Sequence, residues 1–283
     1  MATIPGYVKE VSRKTPVPER RSVRADRLSP VAALVRRHDH DRFQTVLLAP
    51  AARREALFAL YAFNYEIARV RESVTQPMLG QIRLQWWREN IAAAFEGGAI
   101  RRHPVVEPLT ATIRGLRLSR GHFDRLIDGR ESDLEDEPPA TLAALEDYAE
   151  STSARLVYLA LEVLGVHDAP ASEAGLHVGI AHSLAGLLRA MPFRARPIIP
   201  PDIPPPNGVT ELAAAASRHL QAARARRNRI PRSALPALLP AVIAERSLTR
   251  LKRAGNNPFD PALAAPDPLQ AWRLAAAMLF KRF

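Results

Sequence analysis

Along most of the chain the apolar residues recur every three or four positions, the spacing of one face of an α-helix. Leu57, Leu60, Tyr61, Asn64, Ile67 and Ala68 fall on one such face. They predict a helix over 51–73, with Pro50 as its first-turn proline. A second helix is predicted over 78–95 and closed by Gly97 and Gly98, since glycine alone takes the left-handed C-terminal position without cost. Shorter helices fit 105–118 and 121–128. A long one fits 141–164, stopped by Gly165, and another fits 171–191, ended by Pro192. Seven prolines between Pro192 and Gly208 exclude a helix there, because each ring lacks an amide donor. That stretch is read as a loop over one end of a bundle. Helices resume over 211–229, 233–253 and 268–283. No strand pair is evident, so the expected class is all-α. One domain spans 28–283, since the segment after the proline-rich loop has few large apolar residues for a separate core.

Composition sharpens this picture. Hydrophobic residues are 47% of the 283 but aromatics only 6%. Alanine, leucine and arginine favour helix because they lose little rotamer freedom there. There is no cysteine, which excludes disulfides, zinc-thiolate sites and thiol nucleophiles. The formal charge is +11, carried almost wholly by arginine. It suits an anionic partner or reflects a GC-rich genome, and both readings stay open. No zinc finger, RNP-type aromatic motif or helix-turn-helix is present, so no nucleic-acid partner is expected. No run of about 18 apolar residues predicts a membrane span. Residues 1–27 are basic and contain proline, serine and threonine. They are expected to be a disordered tail, with a transit peptide as the alternative.

Several motifs in order resemble the squalene/phytoene synthase family. Leu47-Leu-Ala-Pro-Ala-Ala-Arg-Arg54 with Leu60-Tyr-Ala-Phe63 is similar to its opening helices, and Arg83-Leu-Gln-Trp-Trp-Arg88 to its RLxWWR signature. Asp128-Gly-Arg-Glu-Ser-Asp-Leu134, Tyr148, Leu187-Leu-Arg189 and Arg196-Pro-Ile-Ile-Pro-Pro-Asp202 resemble further family segments. The resemblance implies an isoprenoid-synthase bundle in which residues 61–72 and 179–190 face each other across a central cavity. In the family, aspartates one turn apart on these two helices hold Mg2+ and prenyl diphosphate, because diphosphate ionisation develops charge that a carboxylate-bound cation neutralises. Here the corresponding residues are Ala68, Glu72, Ala190 and Arg194. Tyr65 stands for the family's arginine, Arg69 for a further acidic residue, Ser183 for its glutamine and Gly186 for its asparagine. The expected Mg2+ site is therefore lost, with no cofactor and no catalytic residue.

The pattern Phe63-Asn-x-Glu66 with Arg71-Glu72-Ser73-Val74 resembles the complex I assembly factor 6 branch of the family more closely. So do Tyr148-Ala-Glu-Ser-Thr152, His177-Val-Gly-Ile-Ala181 and Leu188-Arg-Ala-Met-Pro192. That resemblance implies a non-catalytic role in assembling respiratory NADH:ubiquinone oxidoreductase. Its partner would be a complex I subunit or another assembly factor. The place would be the cytoplasm or the inner-membrane periphery in a bacterium, or the matrix side in a mitochondrion. A prenyl-diphosphate synthase with a degenerate site, and a carrier holding an isoprenoid or lipid in the apolar tunnel, are the alternatives.

The candidate cavity residues are Tyr61, Tyr65, Glu66, Arg69, Glu72, Tyr148, Ser183 and Arg189. The tyrosines are expected to fill space left by metal and substrate, Glu66 to reach Arg69 or an arginine of the second motif, and Arg189 to keep an anion-binding position. Trp86 and Trp87 are read as core. The eight histidines show no metal spacing, since His177 and His182 are five apart. Arg224, Arg226, Arg227 and Arg229 read as a solvated face or a lipid contact. The aromatic-basic segment 272–283 either packs on the bundle or lies in an anionic membrane interface.

Overall fold

Short polar caps and prolines set the helix starts. Ser29 accepts a hydrogen bond from the Ala32 amide and opens α1 (Pro30–His38). Asp39 ends that helix and caps the next, α2 (His40–Leu47), through the Arg42 amide at 3.1 Å. Then come α3 (Ala51–Ala68), α4 (Pro77–Glu96), α5 (Val106–Leu116) and α6 (Arg120–Glu131). The C-terminal half has α7 (Leu142–Ala149), α8 (Arg155–Val163), α9 (Ala169–Ala190), α10 (Asn207–Arg224), α11 (Leu235–Leu238), α12 (Pro240–Arg253) and α13 (Gln270–Phe280). The computed structural model describes residues 28–135, 137, 139–193, 199–203, 207–263 and 265–283, and among these there is no strand. The tail 1–27 and, within the proline-rich loop, residues 194–198 (Arg194 among them) and 204–206 lie outside the described residues.

Helix α9 is the axis of the bundle. It packs against α8, α10 and α12, while α3 packs against α1, α2, α5 and α8. The main core runs between them, with Phe63, Phe123, Leu57, Leu60 and Ile67 fully enclosed. Two large aromatics meet Phe63: Trp87 edge-on at 5.2 Å and Phe123 at 5.6 Å. Trp87 is thus core, as read from the sequence, while Trp86 is only partly covered.

The two amino-terminal helices α1 and α2 were not anticipated. Their sequence is dominated by Arg36, Arg37, His38, Asp39, His40, Asp41 and Arg42, a charged run to which no element was assigned. The predicted helix 51–73 ends early: α3 stops at Ala68, and a separate 3₁₀ turn covers Arg71–Ser73. Pro50 is the residue before the first turn, not within it. The predicted helix 233–253 is broken at Pro240 into α11 and α12.

The predicted helix 141–164 is interrupted by a π-helical turn at Glu150–Ala154. Both the Ser151 and the Thr152 hydroxyls donate to the Tyr148 carbonyl, at 3.1 and 2.6 Å. They compete with the backbone amide that would close a normal turn on it. The widened turn is wedged between α6 and α9. A Cβ on Gly179 would sit 2.3 Å from the Ala154 Cα, and one on Gly129 would sit 2.6 Å from Ser151 Oγ. Glycine is required at Gly179 because the two backbones touch there.

Candidate functional site

Between α3 and α9 the side chains stay partly accessible. Tyr65 and Ala68 on α3, and Ser183, Gly186, Leu187 and Ala190 on α9, are each half-buried, and neither helix packs broadly on the other. At Gly186 a Cβ would meet nothing within 4 Å. The two helices do flank common groups, and the centre between them is occupied by arginine.

Arg42, from α2, donates to Asp39 Oδ2 at 2.7 Å and lies 5.7 Å from the Tyr61 ring centre. Burial pushes the Tyr61 phenol up to about 12 against the pull of Arg42, so it stays neutral and polar. Arg130, from α6, is close enough for its charge to act on Arg42. One guanidinium nitrogen of Arg130 donates to the Tyr148 hydroxyl at 2.7 Å and to Asp133 at 3.2 Å; the same hydroxyl donates to Asp133 at 2.8 Å. These three side chains close a ring joining α6 to α7.

His182, on α9, borders the same centre. Burial, then the nearby Arg42, pull its ring down to about 4, against the opposing charges of Asp41 and Asp39. It is neutral at pH 7. Asp41 in turn accepts from Arg189 at 2.9 Å and from the Gln270 amide at 2.8 Å. Burial alone would raise the Asp41 carboxyl, but Arg189, Gln270 and His182 outweigh it and hold it below the usual carboxylate range.

The sequence-predicted residues thus separate into three places. Tyr61 and Tyr148 touch the arginine centre, while Tyr65 on α3 and Ser183 on α9 are half-buried apart from it. Tyr65 stacks on His38 at 4.4 Å with Arg69 5.3 Å from its ring. Arg189 turns away toward Asp41, into a cavity of about 180 Å³ between α9 and α12 that Arg246 and Arg250 also line. Glu66 and Arg69 pair loosely at 3.9 Å and border a second cavity of about 240 Å³ with Arg83, Trp86 and His103. Glu72 is exposed on the 3₁₀ turn, off the helix face that carries Ala68. Asp39, Arg42, Arg130 and His182 were missed. The signal for the first two was the charged run before Pro50; Arg130 sits inside the quoted motif 128–134.

Two other expectations resolve in part. Arg224 clamps Glu245 with two bonds of 2.7 Å and donates to the Phe283 carbonyl, and Arg226 pairs with Glu173. Those two staple α10 to its neighbours and are not merely solvated. In α13, Leu274 and Ala277 face the bundle while Trp272, Leu279 and Phe280 stay exposed.

A divalent ion would need several hard oxygen donors converging on one point. Among the described residues no three His, Asp or Glu side chains gather in that way. Ala68 and Ala190 offer no oxygen. The residues at these motif positions do not fit Mg2+.

Among the described residues the chain is an all-α bundle built around α9. Residues 35–203 match the squalene/phytoene synthase family, and the chain belongs to it. The chain is 32% identical over 268 residues to a complex I assembly factor 6 of Bos taurus, covering 85% of this chain and 80% of that one. It is 27% identical over 148 residues to a presqualene diphosphate synthase of Rhodopseudomonas palustris, about half of each chain. In fold it is similar to the crystal structure of squalene synthase HpnC from Alicyclobacillus acidocaldarius. The TM-score is 0.71 at 19% identity, over 81% of this chain and 94% of that one.

Proposed function

We propose that this chain is a non-catalytic squalene/phytoene synthase relative that acts in assembly of respiratory complex I and works without Mg2+. The observation that supports this most is the arginine centre. Diphosphate ionisation needs a cation held by carboxylates at the leaving group. Here Arg42 and Arg130 are paired with Asp39 and Asp133, and Arg130 also donates to the Tyr148 hydroxyl, while Ala68 and Ala190 stand at the ligand positions. A carboxylate already committed to a guanidinium is not free to hold a divalent ion. The likeness to assembly factors over 85% of the chain points the same way. The carrier alternative is weakened by size: the cavities of about 180 and 240 Å³ fall below the roughly 300–1,000 Å³ of ordinary ligand pockets.

A deletion strain tests the reading. Native gels are expected to show reduced assembled complex I, and lipid extracts unchanged squalene and carotenoids. Normal complex I with missing triterpenes would overturn it. So would release of diphosphate by the purified protein supplied with Mg2+ and farnesyl diphosphate.

The place of action in this reading is the surface of an anionic membrane. No helix among the described residues is long and apolar enough to cross one. Helix α13 instead presents exposed Trp272, Leu279 and Phe280 beside Lys281 and Arg282, an aromatic-basic face suited to the interface. Each cation near such a surface contributes about 1 kcal/mol, weakened by salt. The protein is expected to float with vesicles containing phosphatidylglycerol and to lose them at high salt. Equal flotation with neutral vesicles would refute an electrostatic contribution.

A further inference from the structure

The outer face of α4 carries a second feature, remote in character from the arginine centre. Its first turns expose Met78 (68%), Leu79 (45%) and Ile82 (60%). With Trp86 these fall on one side of the helix at three- and four-residue spacing. The ridge from Met78 to Trp86 is about 12 Å long at 1.5 Å per residue. At its end lies the cavity of about 240 Å³ walled by Trp86, Trp87 and His103. The indole of Trp86 meets that of Trp87 edge-on at 5.0 Å and the His103 ring at 5.4 Å. The Val105 amide donates to His103 Nδ1, which leaves the neutral ring its proton on Nε2, a donor.

Two guanidiniums border this cavity with little to neutralise them. Arg83 is bonded only to the Ser73 hydroxyl, and among the described residues no carboxylate pairs with it. Arg69 has only Glu66 at 3.9 Å. Some other surface arginines do sit in close pairs, such as Arg101 with Glu89 at 2.7 Å and Arg120 with Glu96 at 2.8 Å. An apolar ridge two helical turns long, ending in an under-neutralised cationic pocket with aromatic walls, matches one kind of occupant. It is an amphipathic segment with apolar anchors at i and i+3 or i+4 and a carboxylate beyond them.

We infer that this face of α4 docks an acidic amphipathic segment of a partner protein, its apolar side chains on Met78, Leu79 and Ile82 and a carboxylate between Arg69 and Arg83. The inference deepens the assembly reading, on which the identity of the partner rests. A lone anion would use the pocket but leave the ridge bare, and the ridge is what commits the site to a peptide.

The test uses the full chain and a fluorescein-labelled probe of about fourteen residues with leucine at every third or fourth position and glutamate between, long enough to cover the ridge. Micromolar binding is expected, weakened about tenfold or more by the double change Arg69→Gln and Arg83→Gln, and likewise by Ile82→Asp at an exposed position. Trp272→Asp, on α13, should leave it unchanged. Equal binding of the glutamine-for-glutamate twin, or undiminished affinity in the double variant, would overturn the inference. Displacement of the probe by inorganic phosphate at constant ionic strength would overturn it too, as the mark of a simple anion pocket. In the deletion strain the double variant is expected to fail to restore complex I. Full restoration would overturn the docking site while leaving the assembly reading intact. A deletion strain with normal complex I would sink the assembly reading alone, and the probe affinities would still decide the surface.

Discussion

Replacing Arg130 with methionine is expected to remove about 3–5 kcal/mol of stability, the range for breaking one side of a buried ion pair. The side chains of Arg130 and Asp133 are 15% and 21% exposed, so solvent screens them little. A single guanidinium nitrogen serves both Asp133 and the Tyr148 hydroxyl, and methionine would remove both bonds at once. Marginal proteins hold only about 5–15 kcal/mol in total, so the variant should be close to unfolding at 37 °C. Tyr148→Phe keeps the charge pair and removes only the bridging hydroxyl, so its cost should be smaller, about 1–2 kcal/mol. Urea denaturation followed by circular dichroism measures both. A loss under about 1 kcal/mol for Arg130→Met would mean that the arginine centre does not hold α6 and α7 together.

Acid should weaken the fold through His182. In the unfolded chain the ring takes a proton near 6.5, but in the fold only at about 4. Below 6.5 the unfolded state therefore binds more protons, and stability falls as pH falls. The gap is worth roughly 3 kcal/mol, fully present above pH 6.5 and lost by about pH 4. Asp39 and Asp41 face the ring from the start of α2 and favour the proton. Arg42 and Arg189 oppose it, and burial sets the sign. His122 and His177 are also held low, mainly by burial, and Asp41 is held low by Arg189, so some acid sensitivity remains in any variant. The difference between wild type and His182→Gln isolates the one ring. Identical urea midpoints against pH for the two proteins would show that His182 is not buried neutral.

The long helices were readable because their apolar faces repeat over four or more turns, as in α3, α4 and α9. What the periodicity could not show is where a helix must change its pitch. The π turn at Glu150–Ala154 depends on two hydroxyls competing for the Tyr148 carbonyl and on glycines of other helices making room, and neither has a local signature. The site was legible as a set of losses. Ala68 and Ala190 stand where the family's motifs carry aspartate, and that is read from the sequence alone. Its replacement chemistry was not legible, because Arg42 and Arg130 come from outside the two motif helices. Asp39, Asp41 and Arg42 gave no sign of a buried role, because a charged run is unfavourable in a core unless its members pair there, and here they do.

The bare space at Gly186 gives the molecule a practical property. The chain contains no cysteine, so one placed at Gly186 would be its single thiol. Nothing lies within 4 Å of where the new side chain would begin. A fluorophore or spin label attached there would sit on the helix that carries His182, without displacing a neighbour at its root. The signal of that one probe would report directly whether anything comes to rest against that helix when a partner, a lipid or a nascent subunit is added.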